Sequence, residues 1–169
     1  TIGNALRRVL FSSLPGAAVT RVKIEAVHHE FSTIPGVLED VLSILLNLKQ
    51  LRFRFFADSP QTFSFGAKGE GAVKAGDIET PSTLEIVNKN QHIVTLTKRD
   101  AHFSCELTVE RGVGYRASED LETQRVESGV IVLDAIFTPI RKVSYHIENM
   151  RVGTATDYNR LILSISTDG

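Results

Sequence analysis

Arg8 and Phe11 are the residues whose types and spacing first suggest a task. They stand three positions apart in the opening stretch Thr1–Gly16, hence side by side on a helix, with Asn4 and Arg7 on the same side. A large aromatic next to arginines, turned away from a core, is the composition found at the centre of protein–protein contacts. The competing reading is a solvated helix face with one stray phenylalanine.

Groups suited to catalysis do not assemble in the same way. His28 and His29 are neighbours on a strand pattern, so they point to opposite faces and do not grip one metal ion. Glu39 and Asp40 do not face each other on a helix; in a first turn they suit the helix dipole instead. The glycine-rich Gly66–Asp77 lacks the G-x-x-x-x-G-K-[ST] order of a phosphate cradle and reads as hairpin turns. Nucleophile elbows, H-E-x-x-H and paired magnesium-binding aspartates are not found in the sequence. In Leu51–Phe56, Arg52 and Arg54 alternate with Phe53 and Phe55. That separation describes an amphipathic strand better than a base-stacking platform.

Composition narrows the class. The 169 residues are 42% hydrophobic, 23% charged and carry a formal net charge of -1. A core of useful size is therefore expected, and binding nucleic acid by bulk charge is disfavoured. The single cysteine, Cys105, rules out an internal disulfide and points to a reducing compartment, with the thiol as a small core residue. Apolar runs fall short of a membrane span, and Arg7 and Arg8 precede too few apolar residues for a signal peptide. The chain opens at Thr1 almost directly on a helix pattern, as expected of part of a longer protein.

The elements that must position these residues follow from periodicity. Ile2, Leu6, Val9, Leu10 and Ser13 share an arc of the first helix, predicting a core-facing stripe, and Pro15-Gly16 stops the helix. Ala17–Phe31 alternates as a strand with one wet face, on which Val19, Arg21, Lys23 and Glu25 fall. After the turn Ser32–Gly36, Val37–Gln50 predicts a helix apolar around most of its circumference, hence nearly surrounded by protein. Short strands recur from Leu84 to Val109. Ser118–Gly129 reads as an exposed loop or short helix, and Val130–Asp134 as a strand. A half-buried strand around Val143, Tyr145 and Ile147 is followed by a turn at Arg151–Asp157 and a last strand, Leu161–Ser166. Two helices and nine to eleven strands predict an α+β fold.

On residues alone three readings stay open. One is an assembly scaffold with a contact face on its first helix. The second is a nucleic-acid-binding module using Arg7, Arg8, Arg52 and Arg54, and the third a small enzyme built from His28, His29, Glu30 or Asp134. Seven ordered blocks then add to the first: GNALRRVLFSSLPGAAVT, HEFSTIPGVLEDVLSILLNLKQLRFR, KAGDIETPS, NQHIVTLT, ELTVERGVGY, LDAIFTPIRKVSYHIENMRVG and TDYNRLILSISTDG. Together they resemble the amino-terminal domain of the bacterial-type RNA polymerase α subunit, over essentially the whole chain.

The resemblance implies a homodimeric scaffold that gathers the β and β′ subunits. It would be a non-catalytic part of a nucleotidyltransferase complex, with no cofactor or metal, and would meet DNA only through the holoenzyme. It implies a dimerisation subdomain from residues 1–15 and 138–169 and an inserted β-rich subdomain from 16–137. It also implies a bacterial cytoplasmic, nucleoid-associated location, or the stroma for a plastid copy. The family's β contact falls on Arg8, with Phe11 where the family usually has leucine and Asn4 and Arg7 beside them. Its β′ contact falls nearest Lys68, Leu133 and Asp134, and Leu6, Val9 and Leu10 would serve the core and the dimer. The family's strand before the first helix and its long helix after T-D-G have no counterpart in these residues, so the chain resembles a fragment.

Overall fold

The computed structural model describes residues 1–122 and 127–168. Among these residues three α-helices, α1 (Ile2–Ser13), α2 (Val41–Lys49) and α3 (Ser118–Glu122), and a 3-10 turn at Ala75–Asp77 alternate with antiparallel strands in an α+β fold. The strands are β1 (Pro15–Ile24), β2 (Phe53–Phe55), β3 (Gln61–Lys68), β4 (Gly71–Lys74), β5 (Leu84–Ile86) and β6 (His92–Leu96). They continue with β7 (His102–Val113), β8 (Tyr115–Arg116), β9 (Val130–Val132), β10 (Ala135–Ile136), β11 (Ile140–Val152) and β12 (Ala155–Thr167). Of the segment expected to be a loop or short helix, residues 123–126 lie outside the described residues.

A four-stranded sheet in the order β3-β7-β1-β9 carries the core, and α2 packs against it. Val41, Ile44, Leu45 and Leu48 of α2 are buried with Val22, Ile93, Val94, Leu96, Phe103, Leu107 and Val109. The rings of Phe65 and Phe103 meet at 5.8 Å between centroids, a tilted arrangement favoured by their quadrupoles. Alternation along β1 is not strict. A bulge between Val19 and Arg21 leaves Thr20 as the extra residue, so Val19, expected on the wet face, is buried with Val22 and Ile24. A bulge shifts the inward–outward register by one residue.

Helix α2 starts four residues later than its apolar pattern suggests. Asp40 is its N-cap, accepting from the Ser43 amide at 2.9 Å, and the Ser43 contacts hold its carboxyl below the usual range. Before it, Val37 bridges Leu96 and the Leu38 amide donates to the Thr95 carbonyl, so this segment is spent on strand-like pairing. The helix is also less enclosed than expected: Leu42 and Leu46, one turn apart, are exposed, as is Leu38 before it. Only one face meets the sheet.

The last two strands leave the sheet as a ribbon. β11 pairs only with β12, from Ile140↔Thr167 to Val152↔Ala155, and turns tightly at Gly153-Thr154 rather than over Arg151–Asp157. Phe137 joins ribbon to sheet. Its buried ring lies where a Cβ on Gly112 would come within 2.7 Å of it, and its carbonyl oxygen sits 1.8 Å from the Cβ position of Gly16, the residue opposite. Glycine at both positions makes room for the junction.

Candidate partner-binding surfaces

Helix α1 ends where Leu14, preceding Pro15, is forced into extended backbone at φ -85° and ψ 128°. The helix is seated on β11 by the residue with no side chain. Gly3 is its one buried position, and a Cβ there would lie 2.6 Å from the Tyr145 ring. One turn on, the Arg7 guanidinium lies 5.8 Å from the centre of the same ring, a cation–π contact. Leu10 is half-buried.

The seating face is therefore Gly3–Arg7–Leu10, rotated from the arc that hydropathy predicted. Ile2, Leu6 and Val9 are 70%, 42% and 55% exposed, so within one chain they are not core residues. The reason is steric. The glycine allows the closest approach, and the larger side chains on the neighbouring arc are left outside.

That rotation gives α1 two unlike exposed faces. Arg8 is exposed, and its guanidinium makes no hydrogen bond or ion pair among the described residues. Phe11 stands beside it, 36% exposed. Asn4 accepts from Arg7 at 3.0 Å, so these two belong to the border between the seat and the Arg8 face. The other face is the exposed Ile2–Leu6–Val9 arc of the helix, which packs as a whole against the ribbon. Tyr145↔Leu163, Ile147↔Leu161 and Val143↔Ile165 are cross-strand pairs on one side of it, and Ile147 and Ile165 remain about half exposed. A two-stranded ribbon is marginal in water by itself, so the part of this apolar side that α1, seated on Tyr145, leaves exposed at Ile147 and Ile165 marks a surface suited to contact.

The residues expected at a second contact behave differently from one another. Leu133 is 8% exposed and belongs to the main core; its amide donates to the Thr20 carbonyl at 2.9 Å. Its side chain is thus spent on packing and is not presented to a partner. Asp134 is at the surface, 3.1 Å from Lys49 Nζ. The Lys49 and Ser118 hydrogen bonds hold its carboxyl low against a modest effect of burial. Lys68 is exposed at the end of β3, next to Gly69 in the left-handed region. Because β3 and β9 are opposite edges of the sheet, Lys68 and Asp134 are not brought together.

The competing sites do not form. Arg52 and Arg54 both face carboxylates: Arg52 Nε lies 2.8 Å from Asp168 Oδ2, and Arg54 bonds Glu85 at 3.2 Å. Arg7 is laid on Tyr145, so of the four arginines only Arg8 presents free charge. His28 lines a cavity with Glu25, Ser64 and Ser104 that includes neither His29 nor Asp134. His29 instead meets Ser32 at 3.2 Å, and Asp134 is held by Lys49. No group of histidine, cysteine and carboxylate side chains able to hold a metal occurs among the described residues. Cys105 is buried, its thiol pushed up by desolvation and by the charge of Glu106.

Two constellations escaped the sequence reading. Glu39 accepts from the Thr95 amide at 2.7 Å and its hydroxyl at 2.9 Å, and meets His92 Nε2 at 2.7 Å. Burial raises its carboxyl, yet these partners outweigh burial and the net shift is downward. The other is the contact of Asp168 with Arg52 and Arg141. The partners of both are distant in sequence, and nothing in local spacing signals them.

The pattern of the RNA polymerase Rpb3/RpoA insert domain matches residues 22–138. Over all 169 residues the chain is 53% identical to the DNA-directed RNA polymerase subunit alpha of Roseiflexus sp. (strain RS-1), covering 52% of that protein. It is 52% identical to the same subunit of Alkaliphilus oremlandii (strain OhILAs), covering 53%, and 47% identical to that of Oceanobacillus iheyensis, covering 54%. The chain spans about half the length of these relatives. With an α+β fold, an insert-domain match over most of its length and full-length identity near one half, the chain belongs to the RNA polymerase α-subunit family.

Proposed function

We propose that this chain is the assembly scaffold of a DNA-directed RNA polymerase, pairing with a second copy and gathering the β and β′ subunits without itself doing chemistry. The observation that carries the reading is the pair of unlike faces on α1. The exposed apolar arc Ile2–Leu6–Val9, on the helix seated on the ribbon, suits an identical partner, because such interfaces are richer in apolar area. The Arg8–Phe11 face, with Asn4 and Arg7 at its border, suits the β subunit, since arginine and aromatics anchor interfaces. Residues 1–15 and 138–169 would then form the dimerisation part and 16–137 the inserted part. Lys68 and Asp134 would be offered to β′, with Leu133 holding Asp134 in place from the core. Such a protein works in the bacterial cytoplasm at the nucleoid, or in the stroma for a plastid copy, and meets DNA only through the assembled enzyme.

Sedimentation of the full-length protein tests the dimer. Leu6→Asp with Val9→Asp places two charges in the proposed interface at positions exposed in one chain, so the expected product is a folded monomer. A folded dimer of unchanged affinity would refute this assignment. The nucleic-acid reading gains no support, because two of its four arginines are already committed to carboxylates.

A further inference from the structure

Asp168, at the end of β12, does more than finish a strand. Its carboxylate is 15% exposed and meets two guanidinium groups. Oδ2 lies 2.8 Å from Arg52 Nε, too poorly aligned to count as a hydrogen bond, so charge holds that pair. Oδ1 accepts from Arg141 Nε at the start of β11. The Asp168 amide also donates to the Pro139 carbonyl at 3.0 Å.

Arg52 reaches the other way. Its Nη1 donates to the carbonyls of Lys49 and Leu51 at 3.1 and 3.0 Å, at the end of α2 where backbone acceptors are left open. Its amide is bound by Asn88 Oδ1 at 2.8 Å. Lys49 in turn holds Asp134. One continuous set of contacts therefore runs from Asp134 through Lys49 and Arg52 to Asp168 and Arg141, and so into the ribbon on which α1 is seated.

We propose that Asp168 is a positioning residue, a charge clamp that fixes the ribbon and α1 against the α2 end of the sheet layer by holding Arg52 and Arg141 at once. One carboxylate serves two cations here, so its loss leaves two like charges facing each other, the enclosed Arg52 and the half-exposed Arg141. Arg52 and Asp168 are 17% and 15% exposed, too enclosed for salt to screen them as it screens surface pairs. The clamp sets the distance and angle between the Arg8–Phe11 face and the Lys49–Asp134 surface. Its importance for assembly rests on the scaffold reading; its existence does not.

Hydrogen exchange of the full-length protein, read segment by segment, tests it. Asp168→Asn is expected to speed exchange at least tenfold in 140–147 and 161–167 while β7 keeps its wild-type rate. Arg52→Met should do the same, and the double variant should be no worse than either alone. Asp168→Glu, which keeps the carboxylate for both guanidinium groups, should hold exchange well below that of Asp168→Asn, which a purely space-filling role would not do, since asparagine is the closer match in size. Unchanged exchange in the ribbon, an equal rise throughout the chain, or an Asp168→Glu protein that exchanges as fast as Asp168→Asn would each overturn the clamp. Capture of the large polymerase subunits by the wild type is scored separately, so failure of the scaffold reading is distinguishable from failure of the clamp.

Discussion

Gly3→Ala separates the seating of α1 described above from the arc that hydropathy favours. Helix propensity alone says the change should stabilise, by about 1 kcal/mol, because alanine is the best helix former and glycine among the worst. The structure says otherwise. A Cβ at Gly3 would stand 2.6, 2.8 and 2.9 Å from three carbons of the Tyr145 ring, whereas carbon atoms pack at roughly 3.5–4.0 Å. Ring or helix must therefore move by about 1 Å, and overpacking of that kind costs about 1–3 kcal/mol. The balance is a net loss of up to about 2 kcal/mol, tempered because Tyr145 is 36% exposed and has room to shift. α1 packs chiefly on β11, so the loss should be local. It should appear as faster amide exchange within α1, with the sheet's denaturation midpoint little changed. In the monomeric chain, Ile2→Ala, on the arc exposed there, should change little, within about 0.5 kcal/mol as surface substitutions do. Slower exchange in α1 of Gly3→Ala would refute the seating and return the helix to its predicted rotation.

Two further outcomes follow from the interior. Glu39 has a lowered carboxyl pKa in the folded state, so its stabilisation is present above the unfolded value and is lost as pH falls through the folded one. Acid titration of stability should show this loss in the wild type. Glu39→Gln, which lacks the titrating group, should be less stable at neutral pH by about 1–3 kcal/mol, the cost of impairing a charged acceptor, and flatter with pH. An equal acid dependence in both proteins would contradict it. Gly112→Ala should destabilise by about 1–3 kcal/mol, since the Phe137 ring that it would strike is 2% exposed and enclosed. In urea the midpoint should fall with the slope preserved; an unshifted midpoint would show that the junction has slack.

Much of this architecture was written locally. The β11 alternation announces a strand and the apolar run through Leu48 a helix, and both are found, although Asp40, read as lying in the first turn of that helix, is its N-cap. Arg8 and Phe11 fall outside the seat as their arc indicated. The rotation of α1 was illegible because a glycine adds nothing to a hydropathy pattern, yet decides how closely a helix approaches an aromatic ring. The bulge at Thr20 was hidden for a related reason: register is settled by the partner strand β7, not by β1 alone. The pairs Lys49–Asp134 and Arg52–Asp168 bring together segments distant in sequence. Their existence depends on where the sheet edges and the ribbon end, which single-residue types do not encode.

The central claim is that the Arg8–Phe11 face of α1 receives a large polymerase subunit. The most direct measurement is capture of the β and β′ subunits by the tagged full-length protein, with Arg8→Ala alongside. Arg8 is exposed and its guanidinium has no partner among the described residues, so the variant should fold and melt like the wild type. The expected result is recovery of both large subunits by the wild type and loss of β by the variant, whose dimer stays intact. Equal recovery by a folded Arg8→Ala protein would contradict the account.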